Sequence, residues 1–195
     1  MSTRARVKGH VFAPPEPPRT AKAAATRQRL YDAAWVLFLE RGYSAVSMRD
    51  IAAAAGLTKT GAYGHFRTKG QLLVEVIRWK LSERDDMIDF TPLTDFESGI
   101  ALMYDDHYRD VRLLEVDAAA AARHDRDVAA GLAALYDERH RRTRDAISGM
   151  RDPDTTEWLM STIMAGVGVK DSIGLPRPDT DRLAATLIDA LAALA

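Results

Sequence analysis

Not one of the 195 residues is a cysteine. That absence excludes disulfides, thiolate metal sites and cysteine nucleophiles together. Aromatic side chains are sparse as well, at 7% of the chain. No stretch approaches the roughly 18 consecutive apolar residues that a membrane-crossing helix needs. The basic start of the chain runs into prolines with no apolar segment between, so no secretory leader is expected. The expectation is a cytoplasmic protein without a membrane partner. Also missing are strand-like alternation, internal repeats, a glycine-rich phosphate loop and a G-x-S-x-G elbow. His107, His124 and His140 are scattered along the chain, with none of the spacing that places two ligands on one helix face. Asp85–Asp86 and Asp105–Asp106 read as solvated charges at helix faces or ends. No catalytic residue, no metal, no cofactor and no enzyme activity is therefore predicted.

A near-zero net charge hides an asymmetry. Residues 1–80 hold 14 lysines and arginines against 5 acidic residues, a balance of +9; the remainder holds 13 against 23, a balance of −10. A basic front half is the electrostatic footprint of a nucleic-acid partner, and an acidic back half belongs away from phosphates.

The stretch from Ser47 to Lys69 gives that footprint a shape. Ser47 followed by Asp50 is a capping box. Ile51 and small alanines then recur at helical spacing, and Gly56 suits the left-handed position just past a helix end. Leu57 is expected to plug the turn, and Thr58 to cap a second helix. Cap, short helix, glycine, aliphatic, cap and second helix is the order of a helix-turn-helix. The second helix, placed at about Lys59 to Phe66, carries Gly61 and Gly64, each costing about 1 kcal/mol relative to alanine. A helix kept only for packing rarely carries both. Ala62 and Phe66 can face the core, which leaves Lys59, Thr60, Gly61, Tyr63, Gly64 and His65 outward. Their donors suit phosphate oxygens, and their short side chains let base edges approach.

These residues resemble the tetracycline-repressor (TetR) family of regulators. The shared pattern is the Ser47 cap, Ile51–Ala52, Ala55–Gly56, Leu57–Thr58, the run Tyr63-Gly64-His65-Phe66, and Lys69 in the fourth helix. Upstream, Arg27 to Tyr43 is similar to the family's first helix with its aromatic after glycine. The likeness covers about residues 26–80. Thr60 stands where the family usually has glycine, and Ala62 where a bulkier aliphatic is usual. The resemblance implies an all-α fold: an N-terminal three-helix DNA-binding domain followed by a C-terminal helical ligand-binding and dimerisation domain. It further implies a ligand-responsive regulator, most often a repressor, that leaves a palindromic operator when a small-molecule effector binds. A constitutive DNA-binding protein whose second domain only dimerises is the alternative. Ser47, Thr58, Lys59, Thr60, Gly61, Tyr63, Gly64, His65 and Lys69 are the expected DNA-contacting residues. Thr58, Tyr63, His65 and Lys69 would anchor phosphates with Ser47 assisting, while Lys59, Thr60 and Gly61 would read bases.

The expected domains are an arm at 1–19, the helix-turn-helix unit at 20–68 and the effector and dimerisation domain at 69–195. The arm, with Arg4, Arg6, Lys8 and the run Pro14-Pro15-Glu16-Pro17-Pro18, is expected to be flexible. It reads either as a bare leader or as a strand reaching phosphates or a minor groove. From Thr20 to Glu40 a stripe of Leu30, Ala33–Ala34, Leu37 and Phe38 predicts a helix. A fourth helix is expected from Lys69 to about Phe90, then helices at about 95–109, 111–124, 127–150, 154–173 and 179–195. The last carries Leu183, Leu187, Leu191 and Leu194 on one stripe, which needs a covering partner. With Trp158, Ile163 and Val167 these leucines are the expected homodimer interface, part of the stripe facing its own domain. The effector pocket implied by the resemblance is placed among Trp79, Tyr104, His107, Tyr108, Tyr136, Trp158 and Met164. Such a lining favours a mainly apolar, partly aromatic compound with a few hydrogen-bonding groups.

Overall fold

The computed structural model describes residues 11–85, 105–176 and 179–192, with the backbone alone for 84, 85, 107, 180, 184, 191 and 192. Every regular element among them is helical: α1 (Ala21–Ala45), α2 (Met48–Ala54), α3 (Lys59–Tyr63), α4 (Lys69–Asp85), a 3-10 turn (Asp106–Tyr108), α5 (Arg109–Ala121), α6 (Arg126–Ala146), α7 (Pro153–Ser172) and α8 (Thr180–Ala192). Residues 86–104, part of the expected fourth helix and two thirds of the helix expected at 95–109, lie outside the described residues.

Two compact units divide the chain. The first takes residues up to Trp79 together with Asp117–Leu135, and the second takes Lys80–Val116 and Tyr136 onward. Compactness therefore draws a different line from the expected boundary at residue 68. The first part of α4 and the α5–α6 turn belong with the helix-turn-helix unit.

In the first unit, Thr20 opens α1 by accepting from the Ala23 N–H at 3.1 Å. The expected apolar stripe is the buried one, with Leu30, Ala34, Leu37 and Phe38 all inside. Gly42 leaves the helical path with φ 74° and ψ 158°, a conformation glycine adopts without a Cβ penalty. Ser47 opens α2 with the reciprocal capping box to Asp50. Gly56 takes φ 68° and turns the chain into α3, where the Thr58 hydroxyl accepts from the Gly61 N–H at 3.1 Å. Leu57 is half-buried in that turn. Phe38, Phe66, Leu30, Ile51, Leu72, Leu73 and Ile77 are fully buried, each worth about 1.5–3 kcal/mol relative to exposure. Tyr31 stacks on Trp79 with ring centroids 5.5 Å apart.

The arm is tied down from Phe12 onward. The Ala13 carbonyl accepts from Gln71 Nε2 at 2.6 Å, the Glu16 carbonyl accepts from Arg27, and the Phe12 ring lies against Gly131. Prolines deny this stretch a helix of its own, but its carbonyls remain acceptors for side chains of the first unit. The expected flexible arm is thus shortened, and its basic residues 1–10 lie outside the described residues.

The second unit is held by a buried ion pair. Arg112 Nε donates to Asp171 Oδ2 at 2.8 Å, and both side chains are almost wholly inaccessible. Gly168 makes the approach possible, because a Cβ there would stand 3.1 Å from Val116 and 3.2 Å from the Arg112 carbonyl. Asp152 caps α7 through the Thr155 N–H at 3.1 Å, ahead of Pro153 at the first helical position. Met160 and Val167 form a small core against Met164, Leu183, Leu187 and Ile188.

Candidate nucleic-acid interface

The outer face of α3 carries what the sequence predicts for it. Lys59, Thr60, Gly61 and Gly64 are exposed, as is Tyr63 at 42%, while Ala62 and Phe66 are fully buried. A Cβ at Gly61 would meet only the Thr58 hydroxyl and Leu57, at 3.3 and 4.0 Å, so its outward side is open. Lys59 Nζ lies 5.8 Å from the Tyr63 ring centroid, which gathers a cation and a phenol on one patch.

The flanking donors differ in how free they are. Thr58 uses its oxygen as an acceptor from Gly61, and its hydroxyl proton remains to donate. Ser47 is more committed: its hydroxyl donates to Asp50 Oδ2 at 2.6 Å while accepting from the Asp50 N–H. The Ser47 hydroxyl and the Ser47 backbone N–H, both donating to Asp50 Oδ2, hold that carboxyl below its usual range. His65 is half-buried. Burial, and then the charge of Arg27, lower its pKa, so it is neutral at pH 7 and offers one donor and one acceptor.

Lys69 is engaged within the unit. Its ammonium donates to the carbonyls of Tyr43 at 2.6 Å and Val46 at 2.7 Å, and it lies 3.9 Å from the Tyr43 ring centroid. Burial lowers its pKa, against the opposing pull of Asp125 and Asp117. Its residue type predicted a phosphate anchor; in the unit its ammonium holds the end of α1. Asp117 and Asp125 complete this arrangement with Tyr43, and these two aspartates escaped the sequence reading. The available signal was an aspartate just before the helical run from Arg126, a capping position.

Candidate residues of the other two sites occur in both units. Trp79 stacks on Tyr31 in the first unit. In the second, Tyr108 is buried, and Tyr136 donates to Glu115 Oε1 at 3.3 Å beside Arg139. Burial raises the pKa of that phenol. Met164 belongs to the Met160–Val167 core, and Trp158 is 61% exposed. Tyr104 and the His107 side chain lie outside the described residues. Of the expected interface, Trp158 and Ile163 are exposed, Val167 is buried, and Leu183 and Leu187 pack partly against their own unit. Leu194 and the Leu191 side chain lie outside the described residues. Exposed Val169, Ile173 and Leu175 extend the apolar surface of α7 beyond the positions the sequence pointed to. No helix among the described residues is long and apolar enough to cross a membrane.

Known proteins match this chain chiefly through the first unit. Residues 30–76 match the family model of bacterial regulatory proteins of the tetR family. The transcriptional regulator AcrR of Shigella flexneri is 44% identical over 62 residues, covering 32% of this chain and 28% of that protein. The transcriptional repressor KstR2 of Rhodococcus jostii is 39% identical over 70 residues, covering 36% and 34%. The chain thus spans about a third of the length of these curated relatives. A solved TetR-family transcriptional regulator from Rhodococcus sp. superposes with a TM-score of 0.74 at 17% identity, over 88% of this chain and 98% of that one. That likeness shows the fold: an N-terminal helix-turn-helix followed by a helical domain. Capped α2, the Gly56 turn and the exposed α3 face all fall within residues 30–76, the stretch over which this chain is similar to bacterial regulatory proteins of the tetR family.

Proposed function

We infer that this chain is a DNA-binding transcriptional regulator that acts as a homodimer on a palindromic operator, most readily as a repressor. The observation that carries the reading is the α3 face. Lys59, Thr60, Gly61 and Gly64 are presented outward from a helix whose inward side is Ala62, with buried Phe66 just beyond it. Lys59 can donate to guanine O6 and N7, the Thr60 methyl can meet a thymine methyl, and the two glycines let the helix backbone approach the groove. Thr58 and Tyr63 flank that surface as phosphate donors. A twofold dimer would set two such helices in successive major grooves about 34 Å apart.

Release by an effector is the regulatory half of the proposal. Tyr108, Tyr136 and Met164 of the second unit are the lining candidates retained from the described residues. Trp158, exposed at 61%, suits an interface better than a cavity wall. A compound binding the two states with a difference of about 1–3 kcal/mol would change DNA affinity about 5- to 150-fold. Selecting bound duplexes from a random pool tests the DNA half, and recovery of a two-fold symmetric motif is expected. A pool that shows no enrichment would overturn the reading. Screening for compounds that both raise the melting temperature and release the selected duplex tests the second half.

A further inference from the structure

The end of α1 is gripped from a part of the chain 74 and more residues away. Because the backbone leaves the helical path at Gly42, the Tyr43 N–H donates to the Asp117 carboxylate, which α5 supplies. The Tyr43 hydroxyl donates to Asp125 Oδ2 at 2.6 Å. The other oxygen of Asp125, Oδ1, accepts from the N–H groups of Asp127 and Val128, at 3.0 and 3.2 Å, and so caps α6. One carboxylate thus joins the first turn of α6 to the end of α1. The start of α4 comes equally close, since a Cβ on buried Gly70 would stand 3.0 Å from Asp125 Oδ1 and 3.0 Å from Val128.

The same junction holds both helices that bracket α3 in sequence. Lys69 opens α4 and donates to the carbonyls of Tyr43 and Val46. Val46 leads directly into Ser47, the cap of α2. A displacement of the α6 cap would therefore reach Tyr43, and through Lys69 and Val46 the starts of α4 and α2. The charges suit this work: the Lys69 ammonium feels Asp125 and Asp117, and burial together with Asp125, Asp127 and Asp117 disfavours ionisation of the Tyr43 phenol.

On the DNA-binding reading above, we propose that the α5–α6 turn is a second anchor of the DNA-reading helices, with Asp117, Asp125 and Tyr43 as positioning residues for operator binding. None of the three touches DNA in this proposal; they act by fixing α2 and α4, and α3 between them.

Two substitutions separate the Tyr43 link from the α6 cap. Tyr43→Phe removes only the hydroxyl. Asp125→Ser keeps a capping oxygen for α6 and drops the bond to Tyr43. The probe is a duplex that the wild-type protein recovers from a random pool, and binding is measured well below the melting transition of each variant. Each single variant is expected to bind it about five- to tenfold more weakly, and the double variant no more weakly than either single. Asp117→Asn, which retains an acceptor for the Tyr43 N–H, is expected to bind like wild type, whereas Asp117→Ala is expected to bind like the other weakened variants. Variants that melt lower yet bind the duplex with unchanged affinity would overturn the proposal and leave the DNA-binding reading intact. A wild-type protein that recovers no duplex would remove both.

Discussion

Gly131→Ala is a substitution for which two effects of known size oppose each other. The residue lies inside α6, where exchanging glycine for alanine ordinarily gains about 1 kcal/mol of helix propensity. Here the added Cβ would stand 2.6 Å from Val74 Cγ2 and 2.9 Å from two atoms of the Phe12 ring. Carbon atoms at rest lie about 3.5–4.0 Å apart, so something must move by about an ångström. Val74 is fully buried in α4 and has little room to turn. Phe12 is half-buried on the arm, which makes it the side that yields. Overpacking of this kind costs about 1–3 kcal/mol, and with the propensity gain subtracted a net loss of about 1 kcal/mol is expected. For a chain of this size that lowers Tm by about 2–4 °C. Trypsin cleavage after exposed Arg19 should also quicken as the arm lifts. Combining Gly131→Ala with Val74→Ala should cost less than the two single losses added, because removing the Val74 methyls removes part of the clash. A Gly131→Ala protein that melts higher than wild type, with cleavage at Arg19 unchanged, would refute this packing of arm, α4 and α6.

Three further outcomes are expected. Thr60→Gly should change the motif recovered from random duplexes more than the overall affinity, since Thr60 is exposed on α3 where its methyl can meet thymine; identical motifs would remove it from base reading. Ile173→Asp, at a 66% exposed apolar position, should give monomers by sedimentation and weaken operator binding at least about tenfold, because a dimer gains from engaging both half-sites. It is a cleaner probe than Leu187→Asp, which would also disturb the Met160–Val167 core. Glu157→Gln should stabilise the fold at neutral pH: burial raises the Glu157 pKa, so its favourable protonated form is present at low pH and lost as pH rises through the folded value. The wild-type advantage at low pH should flatten in the variant, as read from melting curves between pH 4 and 8 (about the span over which shifted carboxylates titrate).

The parts that were legible in the sequence are those whose cause is local. Ser47 with Asp50, Gly56, and Thr58 with Gly61 are contacts within three or four residues, so the residue order alone specifies them. The stripe of Leu30, Ala34, Leu37 and Phe38 is legible for the same reason, since one helical period places all four on one face. The parts that were not legible depend on partners far along the chain. Lys69 has the chemistry of a phosphate anchor, and nothing in its neighbours reveals two carbonyls 23 and 26 residues upstream. Asp117 and Asp125 fall in a half whose acidic excess reads as solvated charge. The arm reads as free because its prolines forbid helix, yet its bonds are made by Gln71 and Arg27.

The brevity of α3 ties these observations to recognition. Five residues form a helix far below the length at which helices persist alone, about 12–15 residues, and Gly61 lowers its propensity further. Its order must come from elsewhere: the Thr58 cap, fully buried Ala62 and Phe66, and the two helices that α4 and α2 start on either side. None of the outward residues supplies it. Lys59, Thr60 and Tyr63 are exposed and can be exchanged at little cost to the fold, so on the proposed DNA-binding reading base preference is set apart from stability. The converse holds for Lys69, Tyr43 and Asp125, whose polar atoms are engaged within the first unit. A change at α3 should alter which sequence is bound, whereas a change at the Tyr43 junction should alter how tightly any sequence is bound.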